Sequence, residues 1–72
     1  MISYEPFWRT LKASNESTYT LIKKHNISSS TIDKLRKNKP ITTTTINDLC
    51  MILACPVSDI MKYVPSDADQ RL

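Results

Sequence analysis

Four of the ten cationic side chains fall within six residues, at Lys34, Arg36, Lys37 and Lys39. A cluster of this kind can form a surface that binds phosphate groups. The same cluster is also typical of a helix face that is simply solvated. The choice between these interpretations depends on the elements that position the four side chains.

The other reactive side chains do not assemble into a catalytic or metal site. There is one histidine, His25, which suits a capping or surface role, and two cysteines, Cys50 and Cys55. Five residues apart on a helix, the cysteines are expected on different faces, as small reduced residues of the core. No second cysteine pair or histidine cluster completes a zinc site, and no glycine-rich loop is present. We therefore expect neither an enzyme nor a bound metal, cofactor or small molecule.

A chain of 72 residues with a formal charge of +3 suits one domain with a small core. No apolar run approaches the roughly 18 residues that a membrane span needs, and the first residues lack the features of a secretory signal. These observations predict a cytoplasmic protein. Residues 4–65 are expected to form the domain, and residues 66–72 a short polar tail.

Apolar periodicity predicts an all-α fold of five short helices. Three of them follow a serine or threonine whose hydroxyl can accept a free backbone N–H of the first turn. These N-caps are Ser17, Ser28 and Thr42. The predicted helices cover residues 6–14, 18–25, 29–37, 43–54 and 57–63.

The absence of glycine gives the asparagines a specific role. Tight turns need residues that tolerate positive φ, and asparagine is the usual substitute. Asn15, Asn26 and Asn38 are therefore the predicted turn residues between the first four helices.

The third predicted helix has one apolar side and one polar side. Ile32 and Leu35, three residues apart, are expected to face the core. The side chains that this orientation turns outward are Ser29, Ser30, Asp33, Lys34 and Lys37. The exposed side thus carries short hydrogen-bonding groups near its N-terminus and cations near its C-terminus. Asp33 and Lys37 are expected to pair, since they are four residues apart.

Two helices joined by the short turn at residues 26–28 have the form of a helix-turn-helix, over about residues 17–37. From about residue 4 to 65 the chain resembles the Xre/Cro-type, lambda-repressor-like domains, and above all their compact single-domain branch in low-GC Gram-positive bacteria and their mobile elements. The segments that carry the resemblance are Tyr4-Glu5-Pro6-Phe7-Trp8, Leu21-Ile22-Lys23-Lys24, Ile27-Ser28, Thr31-Ile32, Leu35-Arg36-Lys37, Leu49-Cys50 with Leu53, and Cys55 with Asp59-Ile60. The chain departs from the family pattern at Asn26, where glycine is usual, and at Ile22, where alanine is usual.

The resemblance implies a DNA-binding transcriptional regulator, a repressor, whose third helix enters the major groove of double-stranded DNA. By position, the implied base-reading residues are Ser29, Ser30 and Lys34. The expected contacts to the DNA backbone are Ser17, Thr18, Tyr19, Ser28, Thr31, Lys37, Lys39, Thr42, Thr43 and Thr44.

One domain of this size buries little DNA surface, so we expect a homodimer that meets through Trp8 or the fifth helix. The competing interpretation is that Met61, Tyr63 and Val64 only close the core. A second hypothesis for the function is a protein-interaction module on the same scaffold, such as an antitoxin. The short segment after the last predicted helix disfavours it, because antitoxins usually carry an additional segment for their partner.

Overall fold

The computed structural model describes residues 1–69, and in that range it contains four α-helices, one 3-10 turn and two short strands. The helices are α1 (Glu5–Ala13), α2 (Thr18–Lys23), α3 (Ser29–Arg36) and α4 (Thr43–Leu53), and the 3-10 turn is η1 (Val57–Asp59). The strands β1 (Ile2–Ser3) and β2 (Lys62–Tyr63) are antiparallel, with Ile2 opposite Tyr63. No helix within residues 1–69 is long and apolar enough to cross a membrane. The predicted polar tail lies partly outside the described residues, because residues 70–72 are not among them.

The starts of α2, α3 and α4 share one arrangement, a serine or threonine followed three residues later by a threonine. In each case the first hydroxyl accepts the backbone N–H of the later residue, which satisfies a donor that the helix itself cannot. The pairs are Ser17 with Thr20, Ser28 with Thr31, and Thr42 with Thr45, at N···O distances of 3.2, 3.1 and 3.2 Å. The three predicted N-caps are therefore confirmed.

The turns use left-handed backbone at three residues that are not glycine. Asn26 and Asn38 have φ values of 60° and 54°, as the composition predicts. Asn15 lies in the bend between α1 and α2 without a positive φ, so that part of the prediction is wrong. The third left-handed residue is Ala54, with a φ of 51°, which ends α4.

We expect Ala54→Gly to raise the free energy of unfolding by about 0.5–1 kcal/mol. A left-handed alanine is strained by about 1–2 kcal/mol, and the larger entropy of glycine in the unfolded chain offsets part of the relief. Urea denaturation followed by circular dichroism measures the change. The control is Ala13→Gly in the helical backbone of α1, which should lower stability instead.

Each major element contributes at least one completely buried side chain to the core. Phe7 comes from α1, Leu21 from α2, Leu35 from α3, Leu49 from α4, and Ile60 from the segment after η1. Each helix is short, so it gains most of its stability from this packing and little from its own sequence.

The prediction of a fifth helix at residues 57–63 is wrong. After the single 3-10 turn of η1, Ile60 is buried and accepts the backbone N–H of Phe7 at 3.1 Å. Lys62 and Tyr63 then pair with β1, which takes up backbone groups that a continuing helix would need. The apolar spacing of Val57 and Ile60 is compatible with a helix, yet Val57 is 47% exposed. The fold is thus four α-helices closed by a small sheet.

The structure also corrects the expected separation of the cysteines. Cys50 lies in α4, but Cys55 lies beyond the end of the helix, where the chain has reversed. The backbone N–H of Cys55 donates to the carbonyl of Cys50 at 3.0 Å. The two residues are therefore neighbours and not on opposite helix faces.

A hydrogen bond between His25 and Glu16 closes the loop around α2. The ring nitrogen Nε2 of His25 lies 2.8 Å from the carboxylate oxygen Oε2 of Glu16, which precedes the helix. The hydrogen bond from His25, followed by one from Thr20, lowers the pKa of Glu16 below its ordinary value. The sequence predicted a capping or surface role for His25. In the structure, His25 links the segment after α2 to Glu16 in the segment before it.

We expect Glu16→Gln to flatten the dependence of stability on acidic pH. A carboxyl group with a lowered pKa in the folded state stabilises the protein fully above its unfolded pKa, and this contribution disappears as the pH falls through the folded pKa. The native chain should therefore lose more stability between about pH 5 and pH 2 than the variant does. Thermal melts at intervals of one pH unit measure the difference, with Glu5→Gln at an exposed carboxylate of α1 as the control. Parallel stability curves for the native chain and Glu16→Gln would contradict the prediction.

Candidate nucleic-acid interface

The orientation of α3 decides which side chains are available to a ligand. Ile32 and Leu35 are 2% and 0% exposed, and they fix the back of the helix to the core. Ser29, Ser30 and Lys34 are exposed on the other side. The apolar and polar sides predicted for this helix are therefore confirmed.

A tight turn sets the position of α3 against α2. Asn26 reverses the chain in left-handed backbone, and the N–H of Ile27 then donates to the carbonyl of Leu21 at 2.9 Å. Ile27 is buried in the same hydrophobic core as Leu21 of α2 and Ile32 of α3. Ile22 lies partly buried against the same core, so α2 accommodates the bulkier side chain.

A groove joins the start of α3 to the start of α4. It has a volume of about 460 Å³. Its lining residues are Ser28, Ser30, Thr31, Lys34, Pro40, Ile41, Thr42 and Thr45. Two of the three implied base-reading residues thus share a surface with three of the implied backbone contacts. The sequence did not single out Thr45, although its spacing from Thr42 repeats that of Thr31 from Ser28.

Four hydroxyls of this groove form two hydrogen-bonded pairs. Oγ of Ser28 lies 2.9 Å from Oγ1 of Thr31, and Oγ1 of Thr42 lies 3.0 Å from Oγ1 of Thr45. One O–H of each pair donates within the pair, which leaves one O–H per pair free to donate to a ligand. The N-termini of α3 and α4 carry partial positive charge at the same place, so the groove favours an anion.

The cationic side chains of α3 and its C-cap differ in the groups that they contact. The ammonium group of Lys37 pairs with the carboxylate of Asp33 at 3.2 Å, as the sequence predicts. Within the described part of the chain, Lys34 takes part in no ion pair. Arg36 is directed to α1, where its guanidinium carbon lies 5.6 Å from the ring centre of Trp8. Lys34 thus differs from Lys37 and Arg36 in having none of these contacts to other side chains.

A family model for the Cro/C1-type helix-turn-helix DNA-binding domain matches residues 7–66. The chain belongs to this family. Its helix-turn-helix consists of α2, the turn at Asn26 and α3.

A solved structure gives independent support for the fold. The crystal structure of the transcriptional regulator VanUg, in its Form II, is 29% identical and superposes with a TM-score of 0.80. The match covers 90% of this chain and 87% of the other. No curated protein sequence matches the chain significantly.

The remaining implied backbone contacts lie outside the groove between α3 and α4. Ser17, Thr18 and Tyr19 lie at the start of α2, and Tyr19 is 68% exposed. Lys37 caps α3, and Lys39 follows it in the turn. Thr43 lines a separate apolar depression of about 360 Å³ beside Tyr4, while Thr44 is exposed on the first turn of α4.

Sequence reasoning missed how α1 supports the end of α3. The N–H of Tyr4 donates to Oδ1 of Asn38 at 2.9 Å, and its phenol donates to the carbonyl of Lys39 at 2.8 Å. Burial raises the pKa of this phenol. The indole N–H of Trp8 donates to the carbonyl of Leu35 at 3.4 Å. The segment Tyr4-Glu5-Pro6-Phe7-Trp8 carried part of the family resemblance, but its spacing gave no sign of these contacts.

Proposed function

We propose that this domain is a sequence-specific repressor of transcription that inserts α3 into the major groove of double-stranded DNA. The observation that carries the proposal is the shared groove in which Ser30 and Lys34 of α3 lie with Thr42 of α4. A reading helix needs exposed polar groups on a rigid support, and buried Ile32 and Leu35 supply that support.

Base recognition is assigned to Ser29, Ser30 and Lys34. The ammonium group of Lys34 suits the O6 and N7 acceptors of guanine, which lie side by side in the major groove. A serine hydroxyl both donates and accepts, so each of the two serines can contact several different bases. The contact of Lys34 with guanine then sets which bases the two serines face.

Contacts to the DNA backbone are assigned to the hydroxyls and cations around the reading helix. The free O–H of each hydroxyl pair can donate to a phosphate oxygen, and the partial positive charge of the helix N-termini strengthens that contact. On α3 and α4 these contacts are Ser28, Thr31, Thr42, Thr43 and Thr44, with Lys37 and Lys39 between them. Ser17, Thr18 and Tyr19 of α2 complete the set.

The domain is proposed to act as a homodimer, because one module of this size contacts too little DNA for tight specific binding. Two-fold symmetry then requires two half-sites in inverted orientation, about one helical turn apart. The dimer contact is proposed at Trp8 or at residues 57–63; Trp8 is partly exposed, with its indole N–H donating to the carbonyl of Leu35 and the guanidinium of Arg36 over its ring.

Selection from a random pool of double-stranded DNA tests the proposal without knowledge of the natural site. We expect enrichment of an inverted repeat that binds in electrophoretic and anisotropy titrations, while a shuffled sequence of the same composition binds weakly. Roughly four to six phosphate contacts per domain predict a slope of log affinity against log salt near −4 to −5 for each domain. Sedimentation velocity of the complex should give two chains per DNA. A pool that stays random, or affinity independent of salt, would refute the proposal.

A further inference from the structure

The end of α4 brings together the two cysteines of the described chain. The backbone reverses at left-handed Ala54, and the N–H groups of Ala54 and Cys55 both donate to the carbonyl of Cys50. In helix ends of this type, the side chains at the positions of Cys50 and Cys55 commonly contact each other. Burial raises the pKa of the Cys55 thiol, and the neighbouring Cys50 thiol raises it further. The observed geometry that brings the two residues together is the backbone hydrogen bond between Cys55 and Cys50.

The backbone hydrogen bond limits the separation of the two residues. The nitrogen of Cys55 lies 3.0 Å from the carbonyl oxygen of Cys50. The nitrogen lies about 1.5 Å and the carbonyl oxygen about 2.4 Å from its own Cα, so the two Cα atoms are at most about 7 Å apart. Protein disulfides have Cα separations of about 4.4–6.8 Å, so the separation of the two Cα atoms is compatible with a disulfide.

Cys55 is also accessible from outside. It lines an open cleft of about 520 Å³ between the end of α4 and α1, whose walls include Arg9, Thr10 and Asp59. Both thiols are free and half-buried, and Cys50 is not among the residues that line the cleft. The cleft therefore gives a small reagent access to Cys55, and Cys50 is its neighbour at the end of the helix.

We propose that Cys50 and Cys55 form a redox-modification site, at which a low-molecular-weight disulfide converts the two thiols into one intramolecular disulfide. The thiolate of Cys55 attacks one sulfur of the small disulfide, which gives a mixed disulfide and releases one small thiolate. The thiolate of Cys50 then attacks the Cys55 sulfur, and the second small thiolate leaves. The two protons from the cysteines end on the released thiols, so the protein loses two electrons and the reagent gains them.

The test uses the full chain and oxidised glutathione, with intact mass measured under non-reducing conditions. The native chain should lose about 2 Da and both of its free thiols. Cys50→Ser should stop at the mixed disulfide, with a gain of about 305 Da, because the resolving thiol is missing. Cys55→Ser is the matched control and should also stop at one glutathione adduct, on Cys50, because no second thiol remains to displace the glutathione.

Three results would overturn the proposal. They are two glutathione adducts on one native chain, a disulfide-linked dimer, and thiols that react only after the chain is unfolded in urea. Circular dichroism shows whether each serine variant is folded, and an alanine variant replaces any that is not. The mass readout needs no DNA, so the outcome is independent of the proposed repressor function.

Discussion

Lys34→Ala is expected to weaken binding to the selected DNA by about 5- to 150-fold for each domain, with an unchanged melting temperature. A lysine that reads guanine supplies about 1–3 kcal/mol of discrimination, and Lys34 forms no ion pair within the described residues that its loss would disrupt. Anisotropy titrations against the selected sequence and against each single-base variant of it measure the change. The loss should be concentrated at one base pair of each half-site, where the variant should no longer distinguish guanine from other bases.

Two lysine variants separate this effect from a general loss of positive charge. Lys12→Ala removes an exposed cation from α1 and should leave both affinity and sequence preference nearly unchanged. Lys37→Ala should weaken binding similarly for all sequences and reduce the salt slope by about one per domain, as expected of a phosphate contact. A Lys34→Ala variant that behaves like Lys37→Ala would remove Lys34 from the base-reading set.

Leu35→Ala is expected to lower the free energy of unfolding by about 2–5 kcal/mol. The side chain is fully buried, and truncation leaves a cavity at the point where α3 meets the core. A domain of this length has only about 4–11 kcal/mol of stability, so the variant should be partly unfolded near physiological temperature. Urea denaturation and thermal melts by circular dichroism measure the loss.

The control for this substitution lies on the exposed side of the same helix. Ser30→Ala removes a proposed base-reading hydroxyl and should change stability by no more than about 0.5 kcal/mol. The two variants should thus show opposite behaviour, since Leu35→Ala affects the fold and Ser30→Ala affects DNA binding. Equal stability of Leu35→Ala and the native chain would mean that α3 is not fixed through this residue.

The sequence predicted α3 and its neighbours well because the determinants there are local. A capping hydroxyl, an apolar spacing of three and a left-handed asparagine are each defined within one or two turns of chain. The starts of α2, α3 and α4 and the turns at Asn26 and Asn38 follow from such signals. The boundaries differ by one or two residues, as helix ends commonly do.

The errors occurred where contacts distant in sequence decide the structure. Residues 57–63 have a helical apolar spacing, but the pairing of β2 with β1 joins opposite ends of the described chain. Nothing in the local pattern of either segment identifies the other as its partner. The same holds for Trp8, whose hydrogen bond to Leu35 could not be inferred from the sequence around either residue.

The position of Tyr4 has a consequence for the order of folding. Tyr4 directly follows β1, and it holds the turn behind α3 through Asn38 and Lys39. These two contacts join residues 34 and 35 positions apart, so we expect them to form after the local helices. We therefore expect the turn behind α3 to take its final position only when the segment before α1 has packed against it.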